Sequence, residues 1–371
     1  MNEILKPELL WIEGRCYRIN DTHTEVSALQ EHDLYENEIT YQDDEGDQDD
    51  FDNCEIVMLD ENRYQSNFHI PKQYIGYIVG KKGAMRSRIE RDTRTEIKIP
   101  RMGENKDILI YGASAANVKA ARRRINIIVM ASRMKQMPTH FLSIPMNQPE
   151  IIKNFEDFKA LVLKECSGRG LEESLFIRAN KLHLTLGVTC LMDNEERLHA
   201  SKLLTEAKNK IVLPLIQDYI PFKIRLKGLS YMNDDPKEID VLYGRVQEEE
   251  APAGLLQKVV DNLVKYFLKE GFMKKEHGRD NVKLHVTLLN SKYRGRSDAA
   301  NDDESQARGR KPRETFDGSE ILHKFADFDF GVMELSEIHL SQRKTMGPDG
   351  YYQSTCIISC CNLNDRQYIM F

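Results

Sequence analysis

The feature that most constrains this chain is a hexapeptide that occurs twice. Lys181-Leu182-His183-Leu184-Thr185-Leu186 returns as Lys283-Leu284-His285-Val286-Thr287-Leu288, with only the fourth position changed. Side chains of a strand alternate between its two faces, so each copy presents His and Thr on one face and apolar residues on the other. One such segment alone reads as a core strand with a hydrogen-bonded histidine. Two near-identical segments, in a chain with only 10 histidines, read as the halves of one site. Two imidazoles and two hydroxyls suit a metal-free reaction at phosphorus: one ring removes a proton, the other donates one, and the hydroxyls of Thr185 and Thr287 bond the non-bridging oxygens. Which His is base and which is acid stays open.

At 371 residues the chain has length for two or three domains. No stretch approaches the roughly 20 apolar residues of a membrane span, and Met1 to Glu8 lacks the build of a signal peptide, so no membrane partner is expected. The seven cysteines are scattered without Cys-x-x-Cys spacing, which indicates neither a disulfide framework nor a metal site, and no cofactor is expected.

The net charge of −6 conceals a segregation. From Glu31 to Glu61 Asp and Glu dominate, as in Asp43-Asp44-Glu45-Gly46-Asp47, and apolar residues are too few for a core; residues 1–62 are expected to be an acidic, largely disordered region. From Arg63 to Lys135 Lys and Arg far outnumber Asp and Glu, the footprint of a nucleic-acid surface.

Within 63–136 the pattern reads β-α-α-β-β-α. A strand near Asn67 to Ile70 leads into a short helix from Pro71 that ends at Gly80-Lys81-Lys82-Gly83. A second helix runs from Ala84 to Asp92, a hairpin follows over 96–100 and 107–111, and Ser114 caps a long helix with the stripe Val118, Ala121, Ile125, Ile128 and with Arg122 to Arg124 toward its polar side. A lone Gly-x-x-Gly is a weak signal. Between two helices its backbone N–H groups, the next helix N-terminus and the charges of Lys81 and Lys82 are placed to face a phosphate.

Ile70-Pro71 followed by Ile75-Gly76-Tyr77-Ile78-Val79-Gly80-Lys81-Lys82-Gly83 resembles a KH domain of type I. That resemblance implies binding of about four single-stranded nucleotides of RNA or DNA between the loop and an apolar groove. The candidate contacts are Ile75, Gly76, Ile78, Val79, Gly80, Lys81, Lys82, Gly83 and Arg86, with Ile89, Ile97 and Ile99 as further groove residues, several of these apolar residues reading equally as core.

Residues 137–371 alternate strands and helices. Strands are expected at 141–145, at each His motif, and near 222–226, 239–246, 338–340 and 355–359; helices at 150–166, 195–211 and 255–269. The polar stretch 293–313 reads as a mobile surface loop. The paired His-x-Thr and the opening Thr139-His140-Phe141-Leu142-Ser143-Ile144-Pro145 resemble the two-histidine phosphoesterase superfamily, in the branch related to a kinase-anchoring protein. The fold so implied is α+β: a KH domain followed by a bilobal domain of antiparallel sheets flanked by helices. The implied activity is metal-independent cleavage or formation of cyclic or 2′-5′ phosphodiester linkages in RNA or nucleotides, with His183, Thr185, His285 and Thr287 as catalytic residues. Tyr351 and Tyr352 are candidates to stack on a base, against a reading of both as core.

The order of the two domains, with Tyr231-Met232-Asn233-Asp234-Asp235-Pro236 and Val241-Leu242-Tyr243, resembles a family of cointegrator-complex subunits. It implies a nuclear protein with helicase-containing complex subunits as partners in transcription coactivation and DNA alkylation repair. A reading of another class, a non-catalytic RNA-binding adaptor that holds a nucleotide in the same pocket, stays open beside the enzyme.

Overall fold

The computed structural model describes residues 55–100, 107–273, 281–295 and 313–361, and the backbone of β1 (Glu8–Ile12) and β2 (Arg15–Ile19), which pair antiparallel. Most of the acidic run, up to residue 54, and residues 296–312 of the polar stretch lie outside the described residues. Within 1–62, Leu9 and Leu10 lie in β1, and Val57, Met58 and Leu59 in β3 (Val57–Asp60). The chain divides into two compact units, Met1–Ile70 with Gly76–Val129, and Pro71–Ile75 with Met130–Phe371.

In the first unit β3 precedes β4 (Arg63–Phe68), α1 (Lys72–Val79), α2 (Ala84–Thr93), β5 (Thr95–Lys98), β6 (Ile108–Gly112) and α3 (Ala115–Met134). The β-α-α-β-β-α order read from the sequence is present, with β3 added as an edge strand in an antiparallel sheet of order β3-β4-β6-β5. The Ser114 hydroxyl accepts the Asn117 N–H at 3.2 Å and caps α3. Its stripe of Val118, Ala121, Ile125 and Ile128 is buried with Phe68, Ile78, Ile89, Ile97, Ile108 and Ile110. Arg122 departs from the expected polar side, since its guanidinium lies 3.2 Å from the centre of the Phe68 ring.

The second unit is one eight-stranded antiparallel sheet of order β12-β9-β10-β11-β8-β7-β13-β14 with helices packed on it. In chain order the elements are β7 (His140–Pro145), α4 (Pro149–Glu165), β8 (His183–Thr189), α5 (Asn194–Ala207), β9 (Lys223–Tyr231), β10 (Val241–Glu249), α6 (Leu255–Lys269), β11 (Val286–Asn290), α7 (Ser319–Phe325), β12 (Asp329–Glu334), β13 (Glu337–Met346) and β14 (Tyr352–Ser359). The order reads outward from the centre as two four-stranded lobes, β8-β7-β13-β14 and β11-β10-β9-β12, each with a motif strand innermost. The lobes are thus halves of a continuous sheet rather than separate sheets. Their seam is narrow: Val286 pairs with Leu184, Phe176 bridges Leu289, and the Ile177 N–H donates to the Leu288 carbonyl at 2.9 Å.

The apolar faces of both motifs supply the core, with Leu182, Leu184, Leu186, Val286 and Leu288 all buried. Helix α4 begins with Pro149, which is pre-set for a first helical turn, and buries Ile151, Phe155, Phe158 and Val162. Phe158 packs edge-on against Phe176, Phe325 and Phe330, the kind of aromatic cluster that adds about 0.5–1.5 kcal/mol per pair beyond burial. Two elements are not evident in the sequence, α7 and the edge strand β12, whose Gly331 at φ 111° and flanking Asp329 carry little strand propensity.

Candidate functional site

The seam places the two motifs together. Pairing of Leu184 with Val286 in an antiparallel ladder sets His183 across from Thr287 and Thr185 across from His285. Strand alternation then does what the sequence implies: along β8, Leu184 and Leu186 are buried while His183 and Thr185 lie half-buried on the other face. His285 immediately precedes β11, and Thr287 lies half-buried within it.

The two histidines are pinned in the same way. The Nδ1–H of His183 donates to the Lys181 carbonyl at 2.7 Å, and the Nδ1–H of His285 to the Lys283 carbonyl at 2.8 Å. A carbonyl only accepts, so the proton of each neutral ring sits on Nδ1 and Nε2 is the nitrogen that exchanges a proton. The lysine of each motif also covers a tyrosine that meets the motif histidine edge-on. Lys181 Nζ lies 5.4 Å from the Tyr352 ring, which is 5.4 Å from His183; Lys283 Nζ lies 4.9 Å from the Tyr243 ring, which is 5.5 Å from His285. The first position of the hexapeptide therefore repeats for a reason the sequence does not disclose.

The environments of the rings differ. His183 is walled by Phe141 at 5.2 Å and Tyr351 at 6.4 Å as well as by Tyr352. Burial holds its pKa down at about 4, and the positive charge that protonation would place near His285 and Lys181 acts in the same direction, against the opposing hydrogen bond to the Lys181 carbonyl. The ring is neutral at pH 7.

A cleft of about 290 Å³ opens on this face, lined by Phe141, Ile177, His183, Thr185, Val188, Thr287, Asn290, Lys292, Tyr293, Arg343, Lys344 and Tyr352. It brings together three members of the quartet; His285 is not part of its wall. Neither threonine hydroxyl takes a hydrogen bond from another side chain among the described residues, which leaves both for a ligand. Tyr352 lines the cleft. Tyr351 does not: it is 2% exposed, its hydroxyl lies 3.1 Å from Ser143 Oγ, and burial raises its pKa. The expectation that Tyr351 stacks on a base is corrected, because the strand phase at the start of β14 turns it inward. Asn290, Lys292, Arg343 and Lys344 went unnoticed in the sequence; they belong to no repeat and reach the cleft through strand pairing.

In the first unit, Gly80 at φ 68°, ψ 179° and Gly83 at φ 83° frame Lys81 and Lys82, both exposed, with Lys82 itself left-handed at φ 52°. A Cβ on Gly80 would lie 2.7 Å from the Met85 Cβ, so the close turn into α2 requires glycine there. Gly76 is exposed, and Ile75 and Val79 are half-buried on α1. Ile78, Ile89 and Ile97 are completely buried, which of the two readings open for them, groove or core, makes them core. Ile99 is half-buried, and Arg86 pairs with Glu90 at 3.1 Å.

A continuous antiparallel sheet in two lobes, with a His-x-Thr at the inner edge of each, defines the two-histidine phosphoesterase-like fold, here preceded by a KH domain. The chain belongs to the family of the AKAP7 2′5′ RNA ligase-like domain, which matches residues 138–359, and residues 65–127 match the KH domain family. Along nearly its whole length it is similar to the activating signal cointegrator 1 complex subunit 1 of Mus musculus: 33% identity over 368 residues, 95% of this chain and 98% of the mouse protein. Among solved structures, the first type I KH domain of human vigilin aligns with 24% of this chain and 93% of its own length, at 25% identity and a TM-score of 0.20.

Proposed function

We propose that this protein binds single-stranded RNA through the Gly80–Gly83 loop and cleaves a phosphodiester at the His183, Thr185, His285, Thr287 quartet by metal-independent acid–base catalysis. The observation that supports the catalytic reading is the matched pinning of both Nδ1–H groups, which leaves Nε2 of each ring as the nitrogen available for proton transfer. One Nε2 takes the proton of the attacking water or ribose hydroxyl as the new P–O bond forms. The other protonates the departing oxygen as the old bond breaks. The hydroxyls of Thr185 and Thr287 donate to the non-bridging oxygens, where charge accumulates in the transition state.

The mouse relative is named as a subunit of a cointegrator complex, and the reading extends to membership of such a complex; a nuclear location, helicase-containing partners and a part in transcription and alkylation repair belong to the proposal through the sequence resemblance alone. No described helix is long and apolar enough to cross a membrane. A second reading, a non-catalytic RNA or nucleotide adaptor, is favoured by one observation: His285 is absent from the cleft wall.

Turnover assays with 2′-5′, 3′-5′ and 2′,3′-cyclic substrates separate the two. Hydrolysis of at least one, lost in both His183→Ala and His285→Ala, is expected. Nucleotide binding with no turnover of any would establish the adaptor. Co-purification of helicase subunits from nuclear extract tests the assembly.

A further inference from the structure

The likeness between the two motif strands extends past the hexapeptide. On β8, Thr185 pairs with Ser143 and Gly187 with Leu142, which leaves Leu186 as an extra residue. On β11, Thr287 pairs with Tyr243 and Leu289 with Leu242, which leaves Leu288 as the extra residue. Each strand therefore carries a β-bulge at the last position of its hexapeptide, and a bulge advances the alternation of side chains by one residue. Gly187 and Leu289, which strict alternation would aim at the cleft, are buried, and the residues after them, Val188 and Asn290, line the cleft instead.

Because the strands are antiparallel, with Leu184 opposite Val286, these two residues stand at opposite ends of the quartet. Val188 lies beyond Thr185, paired with Phe141. Asn290 lies beyond Thr287, near Ile177, whose N–H is bonded to the Leu288 carbonyl and whose side chain also lines the cleft. The site is thus symmetric at its centre and unlike at its ends: an isopropyl group closes one and a carboxamide the other.

The carboxamide is held in one orientation. Its Oδ1 accepts the Lys292 backbone N–H at 3.0 Å and an N–H of Arg313. Both partners are donors, which fixes the oxygen toward them and directs the NH2 group elsewhere. Arg313 is held in turn by Asp240 at 3.1 Å and by the Ser291 hydroxyl at 2.7 Å, and Ser291 donates to Asp240 at 2.8 Å. Among the described residues no acceptor takes the NH2 protons. Toward the cleft, Asn290 is therefore a donor only. A carboxamide with both ends available pairs with adenine, giving from its NH2 and accepting at its oxygen. With the oxygen engaged that pairing is closed, and an amino group brought to the NH2 sets donor against donor. A carbonyl in the same place accepts a hydrogen bond.

We infer that Asn290 reads the base of the nucleotide whose phosphate the quartet holds, selecting a keto base, uracil or a 6-oxopurine, over its amino counterpart, cytosine or adenine. Three residue steps at ~3.3 Å separate Asn290 from Thr287, which sets the carboxamide at the reach of a base and away from the phosphate. Ile177 supplies an apolar surface for the ring at that end, and Arg313 is a positioning residue that acts by holding the Asn290 oxygen. The inference rests on the phosphodiesterase reading for its ligand class and adds a base preference to it.

The full chain is assayed with 2′,3′-cyclic UMP against 2′,3′-cyclic CMP, which differ only in the carbonyl or amino group at C4, and with the inosine and adenosine pair, which differ in the same way at C6. The keto member of each pair is expected to have a kcat/KM roughly ten-fold higher, the worth of one hydrogen bond against an unpaired donor. Asn290→Asp keeps an oxygen for Arg313 and Lys292 and puts an acceptor where the NH2 stood, so the preference should invert toward the amino bases while the melting temperature holds. A residue that merely braced the turn would lower all four substrates alike and leave both ratios in place. Equal rates for keto and amino members in the wild type, or ratios that Asn290→Asp does not move, overturn the inference. The same ratios measured by calorimetry as dissociation constants for the four 3′-monophosphates need no turnover. Absent catalysis with those ratios intact, and inverted by Asn290→Asp, would sink the phosphodiesterase reading and leave the base preference standing.

Discussion

The Nδ1–H of His183 donates to the carbonyl of Lys181, two residues back along the chain in the short turn that leads into β8, at 2.7 Å. Because the acceptor is backbone, the tautomer does not depend on any second side chain, and His285 repeats the arrangement with Lys283. A hexapeptide copied into two strands thereby copies its own orienting group. Many histidine bases depend on a distant carboxylate for that purpose.

The first prediction follows from this independence. His183→Ala or His285→Ala should lower turnover about a hundred-fold or more, the usual scale for a general acid or base, and the double variant should lose less than the product. Lys181→Gln, which retains the carbonyl and removes only the cation over Tyr352, should cost far less. A Lys181→Gln loss equal to that of His183→Ala would show that the ammonium, and not the pinned ring, carries the effect. Activity should persist in EDTA, since among the described residues no three His, Cys, Asp or Glu side chains gather as metal ligands.

Stability should fall on mild acidification. His183 and His140 are both held neutral by burial, with pKa values of about 4 against an ordinary 6.5. The unfolded chain binds these protons below pH 6.5 and the folded chain does not, so the contribution is complete above 6.5 and is lost as pH falls toward 4. The ceiling is ~3 kcal/mol per ring at about 1.4 kcal/mol per tenfold, less for the half-buried His183. Urea melts at pH 7, 5.5 and 4.5 check this: His140→Gln should flatten the decline, and an unchanged slope would rule that ring out as its source.

Adjacent tyrosines should give opposite phenotypes. Tyr351→Phe removes the buried hydroxyl beside Ser143 and should cost about 1 kcal/mol of stability with little change in rate. Tyr352→Ala removes the wall that shields His183 from water. Its ring pKa should rise toward 6.5, moving the acidic limb of the pH–rate profile to higher pH. A limb that stays in place would mean that Phe141 and Tyr351 suffice to keep the ring dry.

How much of this was legible in the sequence depended on whether the determinant was local. The His-x-Thr faces follow from strand period alone, and the Lys81-Lys82 loop from glycine spacing between two helices. Ile78, Ile89 and Ile97 defeat such reading because core and groove residues of a small domain share one periodic pattern and only packing separates them. Tyr351 and Tyr352 are adjacent, so their fates turn on the phase of β14, which is set by its pairing with β13. Arg343 and Asn290 meet at one cleft through strands far apart in sequence, a convergence that no local spacing records.

The last prediction separates shape from charge in the KH loop. Gly80 and Gly83 both have positive φ, but only Gly80 faces an obstacle: a new Cβ would meet the Met85 Cβ at 2.7 Å, whereas nothing lies within 4 Å of one on Gly83. Gly83→Ala should therefore cost only the conformational penalty of a left-handed residue, about 1 kcal/mol, and leave a folded domain. Gly80→Ala must displace the start of α2 and should destabilise the domain by more. Lys81→Asp with Lys82→Asp leaves the backbone alone and reverses the charge, so it should abolish most binding of single-stranded RNA at moderate salt without lowering the melting temperature. Binding measured by anisotropy at several salt concentrations, beside thermal melts of all three variants, distinguishes the cases. RNA affinity that survives the double Asp variant while Gly83→Ala loses it would mean that the loop acts by its backbone N–H groups, and that the lysines contribute no phosphate contacts.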